Sequence, residues 1–154
     1  MRLDRAWIAG HIPHQFRMCL LDSVIEWDEM HVICRATSHR DADNPLRAHG
    51  RLGVACGIEY AAQAMAVHGV LLAPAAALPR TGYLTSLREV AFHASRLDDV
   101  VADLEIEAWR HAGDGNNALY RFTVRADHCE LLEGRAAVML DADRWARTAD
   151  GSAT

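Results

Sequence analysis

Apolar and polar positions change rhythm several times along the chain. Residues 1–18 keep neither a helical nor a strand period and read as an irregular segment containing Ile12-Pro13-His14. Cys19–Trp27 is rich in Leu, Val and Ile and ends at the polar pair Asp28-Glu29. His31–Ser38 then alternates Val32, Cys34 and Ala36 against Ile33, Arg35 and Thr37, so the two runs predict a hairpin. His39–Gly50 carries Asp41, Asp43, Asn44 and Pro45 and predicts a loop. A helix is expected from about Gly53 to His68, with Gly69 as its stop and 70–82 as a second loop.

Strands are expected after that, at about Leu84–His93, Val100–Trp109, Ala118–Ala126 and Leu131–Leu140. The second and third of these alternate most cleanly. Ala102, Leu104, Ile106 and Ala108 face one way, and Asp103, Glu105, Glu107 and Trp109 the other. A turn centred on Asp114 would set Glu107 opposite Arg121 and Asp103 opposite Arg125, pairing opposite charges on the solvent face. The sequence thus predicts about six strands and one long helix that is apolar on nearly every side. Such a helix must be enclosed. An antiparallel sheet wrapped around it gives an α+β chain with the hotdog layout. Residues 1–142 would form this domain, and the small, polar segment 143–154 would fray. Open sheet edges make a dimer the default expectation.

Composition narrows the class. At 154 residues and 51% hydrophobic, the chain is long and apolar enough for a single cored domain. A net charge of −5 without a basic stripe argues against nucleic acid as a partner. Cys19, Cys34, Cys56 and Cys129 are widely spaced and form no C-x-x-C pair, which points to a reduced, cytoplasmic protein. Nothing at the N-terminus reads as a signal peptide. From Leu52 to Pro79 the only formal charge is Glu59, so the segment must be tested as a membrane span. Glu59, Gln63 and His68 near its middle, the breakers Gly69, Pro74 and Pro79, and its Ala-rich character favour a buried helix instead.

That single charge is also the candidate chemistry. Glu59 and Gln63 lie one helical turn apart on one face, among the small residues Ala55, Cys56, Ala62 and Ala66. Val54, Ile58 and Met65 on the opposite face read as core. Small neighbours leave room for a ligand, and burial would raise the carboxyl pKa, as an acid that gives and takes a proton needs. A structural carboxylate, satisfied by an Arg or by backbone N–H groups, is the alternative. His11 and His14 are spaced i, i+3 with Pro13 between them, and no third ligand is near, so no metal site is expected. His68 would close the helix, where a cation favours the dipole. No G-x-S-x-G elbow, P-loop or dinucleotide fingerprint is present.

Two motifs carry a resemblance. Ile12-Pro13-His14 followed by Met18-Cys19-Leu20-Leu21-Asp22 is similar to the P-H-x(2)-P-F-L-L-x-D opening of the FabZ-type 3-hydroxyacyl-acyl-carrier-protein dehydratases. Gly57-Ile58-Glu59-Tyr60-Ala61-Ala62-Gln63-Ala64-Met65-Ala66 resembles their central helix, and the likeness extends over roughly residues 12–141. Ser38-His39-Arg40, Asn44-Pro45-Leu46-Arg47 and Gly57–Gln63 resemble a narrower group of dehydratases, those of aryl-polyene and xanthomonadin-type pigment pathways.

The resemblance implies dehydration of a 3-hydroxyacyl thioester, carried on the phosphopantetheine of acyl carrier protein, with no other cofactor. Glu59 matches the family's acid. The family histidine, a base on the α-carbon, would fall near Asn44-Pro45, where neither residue can serve. His39 is the favoured replacement, ahead of His49 and His14. The helix N-terminus would polarise the thioester carbonyl, Gly53 and Gly57 would admit the substrate, and Gln63 would orient Glu59 or a water. The partners implied are acyl carrier protein and a second hotdog subunit, identical or different. Two other functions stay open: a hotdog thioesterase using Glu59 without a histidine, and a non-catalytic subunit of a heteromeric dehydratase.

Overall fold

A computed structural model describes residues 2–12, 18–73, 82–114 and 116–140. The N-terminal segment is more regular than its pattern implies. Helix α1 (Arg5–His11) is capped by Asp4, whose carboxylate accepts the Trp7 N–H at 3.1 Å. Ile8 anchors it in the core, and His11 stacks on Trp7 with ring centroids 4.1 Å apart. About two turns of helix with a single buried residue is too short for periodicity to reveal.

Six antiparallel strands follow: β1 (Ser23–Trp27), β2 (His31–Ala36), β3 (Gly82–Phe92), β4 (Leu104–Gly113), β5 (Asn117–Ala126) and β6 (Cys129–Leu140). They form one sheet in the order β1-β2-β4-β5-β6-β3, which leaves β1 and β3 at its edges. The long helix α2 (Gly57–Leu72) enters the chain between β2 and β3 and packs on one face of the sheet. Alternation selects that face: Val32, Cys34 and Ala36 of β2, Leu104, Ile106 and Ala108 of β4, and Phe122 and Val124 of β5 are all fully buried. This is the expected α+β hotdog arrangement. Cys19, Cys34, Cys56 and Cys129 are all unpaired.

The β4–β5 hairpin departs from its expected register by two residues. Arg125 lies opposite Glu105, Thr123 opposite Glu107, and Arg121 opposite Trp109. The turn sits later than expected, with Asp114 accepting the N–H groups of Asn116 and Asn117, and a bulge at Arg110/Ala112 takes up one residue. A slip of two preserves every side chain's face. Opposite charges therefore still meet: Arg125 binds both Glu105 and Glu107, the latter at 2.7 Å.

Helix α2 also differs at both ends. Val54–Cys56 forms a 3-10 turn before it, and the helix runs through Gly69 to Leu72. Gly69 does not adopt the left-handed conformation of a helix stop, and Ala73 ends the helix instead, its N–H within 3.2 Å of the Gly69 and Val70 carbonyls. His68 is consequently an interior residue rather than a cation at the helix end. It is fully buried, with Nε2 2.8 Å from the Asp28 carbonyl and Nδ1 2.8 Å from the Tyr120 hydroxyl. Burial holds its pKa below the usual histidine value. The apolar stretch Val54–Leu72 is long enough to cross a membrane by length and composition, yet half of it is buried within the fold. Of the expected 70–82 loop, residues 70–72 are helical and Gly82 begins β3, while 74–81, like the tail 143–154, lie outside the described residues.

Candidate active site around Glu59

The chain fixes the N-terminal end of α2 before the helix begins. Leu52 donates its N–H to Asp98 Oδ1 at 2.9 Å and accepts the Leu97 N–H at 2.8 Å. Gly53 bridges to Arg96, and Val54 donates to the Ser95 carbonyl. Asp98 is itself gripped by the Arg96 guanidinium, which, with the Leu52 N–H, holds its carboxyl far below the ordinary range. A Cβ on Gly53 would meet nothing within 4 Å, so open space lies before it. Gly57 is different. A Cβ there would stand 2.4 Å from a Leu132 methyl, so this glycine lets the helix settle against β6.

One turn into the helix, Gln63 is fully buried and uses its whole amide. Its Oε1 accepts the Leu20 N–H at 2.9 Å, while Nε2 donates to the Met18 carbonyl at 2.7 Å. The backbone donor and acceptor fix which end of the amide is which. Nε2 is therefore the atom that faces Glu59, 3.3 Å from Oε1. The structure brings these two predicted residues together, with Glu59 half-buried.

The residues of the narrower resemblance form a buried polar network beside them. Ser38 Oγ is 2.8 Å from the Leu20 carbonyl and 2.7 Å from the Tyr60 hydroxyl. Asn44 Nδ2 donates to the Ser38 carbonyl at 2.9 Å and to the Tyr60 hydroxyl at 3.1 Å, and its Oδ1 accepts the Leu46 N–H. Burial pushes the Tyr60 pKa up, which keeps its proton available for this network. Asn44, which stands where the family histidine would fall, thus pins the 38–47 loop to the helix one residue from Glu59. Sequence reading gave Ser38, Asn44 and Tyr60 no such role. Their signal was present in the apolar context of Tyr60 and the Asn-Pro turn, but their partners are distant in sequence.

His39 turns away from this network. It is fully buried, and Nε2 lies 3.0 Å from both the Val100 and Ala102 carbonyls. Carbonyls only accept, so Nε2 carries the proton and Nδ1 holds the lone pair, with no hydrogen-bond partner among the described residues. Burial lowers its pKa. Arg40 alongside binds the Val101 carbonyl and Asp103, so the Ser-His-Arg stretch fastens the segment leading into β4. His49 is exposed at the tip of a tight turn, where it and Gly50 both have positive φ, between the reciprocal Ala48 and Arg51 bonds. His14 lies outside the described residues. At the helix N-terminus, the Val54 and Cys56 N–H groups are taken by the Ser95 and Gly53 carbonyls, which narrows the set of donors that could face a thioester.

A sheet of this order around a central helix bearing one half-buried carboxylate defines a hotdog protein, and solved structures share that fold. A chain of the dehydratase heterocomplex ApeI:P from Xenorhabdus doucetiae aligns with a TM-score of 0.73 at 24% identity, covering 86% of this chain and 89% of that one. Zebra fish thioesterase superfamily member 2 aligns with a TM-score of 0.61 at 10% identity, covering 88% and 91%. A mutant thioesterase from Pseudomonas aeruginosa gives 0.57 at 8% identity, covering 77% and 80%. No curated protein matches the sequence significantly. The chain belongs to the ApeP-like family, described as ApeP dehydratase, which it matches over residues 7–147. It is thereby a hotdog dehydratase of the aryl-polyene type that its helix and loop motifs resemble.

Proposed function

We propose that this chain supplies the acid for dehydration of a 3-hydroxyacyl thioester, carried on acyl carrier protein, within a two-subunit hotdog complex. Glu59 protonates the β-hydroxyl as the C3–O bond breaks. A base removes the α-proton, its C–H electrons form the C2–C3 double bond, and water leaves from the trans-2-enoyl product. The observation that carries this reading is the Glu59–Gln63 pair. Gln63, oriented by the Leu20 and Met18 backbone, presents its amide donor to Oε1 and so orients the carboxyl that carries the transferable proton.

The base is assigned to a histidine of the second subunit. Asn44 fills the family histidine's place with an amide already committed to Ser38, Tyr60 and Leu46. His39 has its proton shared between two carbonyls and its ring sealed from solvent, an environment suited to holding the Val100–Ala102 segment. The ApeI:P structure is a heterocomplex, which supports association with a different hotdog chain. The unpaired edge strand β3 supports the same reading, because Leu84 and Leu87 on it are exposed.

The test uses the chain with its hotdog partner and two substrates, a 3-hydroxyacyl and a simple acyl group on acyl carrier protein. Enoyl product from the first is expected. Glu59→Gln should lower turnover by about a hundredfold to ten-thousandfold with unchanged melting behaviour, while His39→Asn keeps the wild-type pH profile. Release of free thiol from the simple acyl substrate would instead identify a thioesterase. Full activity in Glu59→Gln would reduce the chain to a non-catalytic partner.

A further inference from the structure

We infer that Tyr60 is a positioning residue for the reaction at Glu59, acting through Ser38, the Leu20 backbone and Gln63. This role rests on Glu59 being the acid of the dehydration, and it extends the site to a hydroxyl sealed in the core.

The direction of each hydrogen bond in the relay is fixed by its ends. The Leu20 carbonyl can only accept, so the single Ser38 Oγ proton points at it. The 2.7 Å contact between Ser38 Oγ and the Tyr60 hydroxyl must then carry the tyrosine's proton. That leaves the Tyr60 oxygen as an acceptor, and Asn44 Nδ2 donates to it at 3.1 Å. Asn44 cannot turn its amide over, because Oδ1 accepts the Leu46 N–H and Nδ2 also donates to the Ser38 carbonyl. Burial pushes the Tyr60 pKa up, so the hydroxyl keeps the proton it gives to Ser38.

Leu20 is where this relay meets Gln63. Residues 19–22 belong to no strand, so the fully buried Leu20 has no sheet ladder for its N–H or its carbonyl. Two side chains take the ladder's place. Gln63 Oε1 accepts the N–H at 2.9 Å, and Ser38 Oγ donates to the carbonyl at 2.8 Å. The strip therefore sits where Gln63 and Ser38 hold it. Tyr60 aims Ser38, while the strip orients the Gln63 amide that lies 3.3 Å from Glu59 Oε1.

Phenylalanine at position 60 would leave Ser38 Oγ without its donor and one Asn44 N–H without its acceptor, in a region closed to solvent. Both losses loosen the strip that keeps the Gln63 amide turned toward the carboxyl. A displacement of that size is enough to slow a reaction without changing how substrate binds.

The chain with its hotdog partner is assayed on a 3-hydroxyacyl group carried by acyl carrier protein, alongside thermal melting. Tyr60→Phe and Ser38→Ala should each lower kcat by about tenfold to a hundredfold and leave KM within about twofold. Tyr120→Phe removes a buried hydroxyl at the other end of the helix. It should lower the melting temperature comparably and leave kcat near wild type. In a Glu59→Gln background, Tyr60→Phe should cause no further loss, because it acts only through that carboxyl. Wild-type kcat in Tyr60→Phe, a loss in KM alone, or an equal loss with and without Glu59→Gln overturns the assignment while the acid role of Glu59 stands. Full turnover in Glu59→Gln overturns both together.

Discussion

The two halves of α2 bury polar side chains in opposite ways. In the C-terminal half, His68 has both ring nitrogens engaged, by Tyr120 and the Asp28 carbonyl, and the group is sealed in the core. In the N-terminal half, Gln63 and Tyr60 reach out to separate stretches, 18–20 and 38–44, beside a carboxylate that stays half-exposed. A sealed, satisfied pair stabilises the fold and is chemically silent. Polar groups that gather distant segments around a half-exposed acid build a site. The same helix thus serves as a structural post at one end and a reactive centre at the other.

The comparison is broken most readily at Gln63. Gln63→Leu keeps the volume but strands the Leu20 N–H and the Met18 carbonyl, so a loss of about 2–4 kcal/mol is expected in urea unfolding, together with loss of turnover. Wild-type stability in that variant would show that the N-terminal half ties nothing together. Gly57→Ala comes next, at about 1–3 kcal/mol, because its Cβ would overlap Leu132. Combined with Leu132→Val it should cost less than the sum of the two single changes, and strict additivity would refute the contact.

In the other half, Tyr120→Phe removes the donor to His68 and should cost about 1 kcal/mol while leaving turnover near wild type. Burial pushes the Tyr120 hydroxyl up to about 12, so it remains a donor throughout the assay range. A fall in turnover matching that of Gln63→Leu would erase the distinction between the halves.

The smallest effect is a pH slope. Burial holds His68 and His39 below the ordinary histidine value of about 6.5, so the unfolded chain takes up the proton first. Their contribution is complete above 6.5 and is lost as pH falls below it, by at most about 1.4 kcal/mol per pH unit for each histidine. Urea midpoints between pH 7 and 5 measure this slope, and His68→Gln should reduce it without abolishing it.

Much of this organisation is legible in the sequence where it depends on local pattern. The nearly uncharged stretch after Leu52 predicts an enclosed helix, and the alternation on either side of Asp114 predicts a hairpin with its faces correctly assigned. The hairpin register was displaced because the turn closes later than Asp114, around the bonds of its carboxylate to Asn116 and Asn117, and alternation does not mark where a turn closes. Gly69 suggested a helix end, but Val70, Leu71 and Leu72 continue the apolar surface and the helix continues with them. Ser38, Asn44 and Tyr60 were opaque for another reason. Each is an ordinary polar residue until three separated segments are superposed, and only then does the loop motif resolve into hydrogen bonds to the helix. Glu59 and Gln63 were visible because both partners lie on one helix, a single turn apart.

The Gln63 amide also bears on how the molecule matures. Its bond to the Leu20 N–H spans 43 residues of sequence, so it forms only after most of the first half of the chain has been brought together. Closing so long a loop is slow compared with forming the helix itself. Glu59 therefore meets its orienting partner early but acquires a fixed one only when the 18–20 strip docks. Proton exchange at the Leu20 amide becomes a clock for that event: protection there marks the moment at which a folded helix becomes a finished reaction centre.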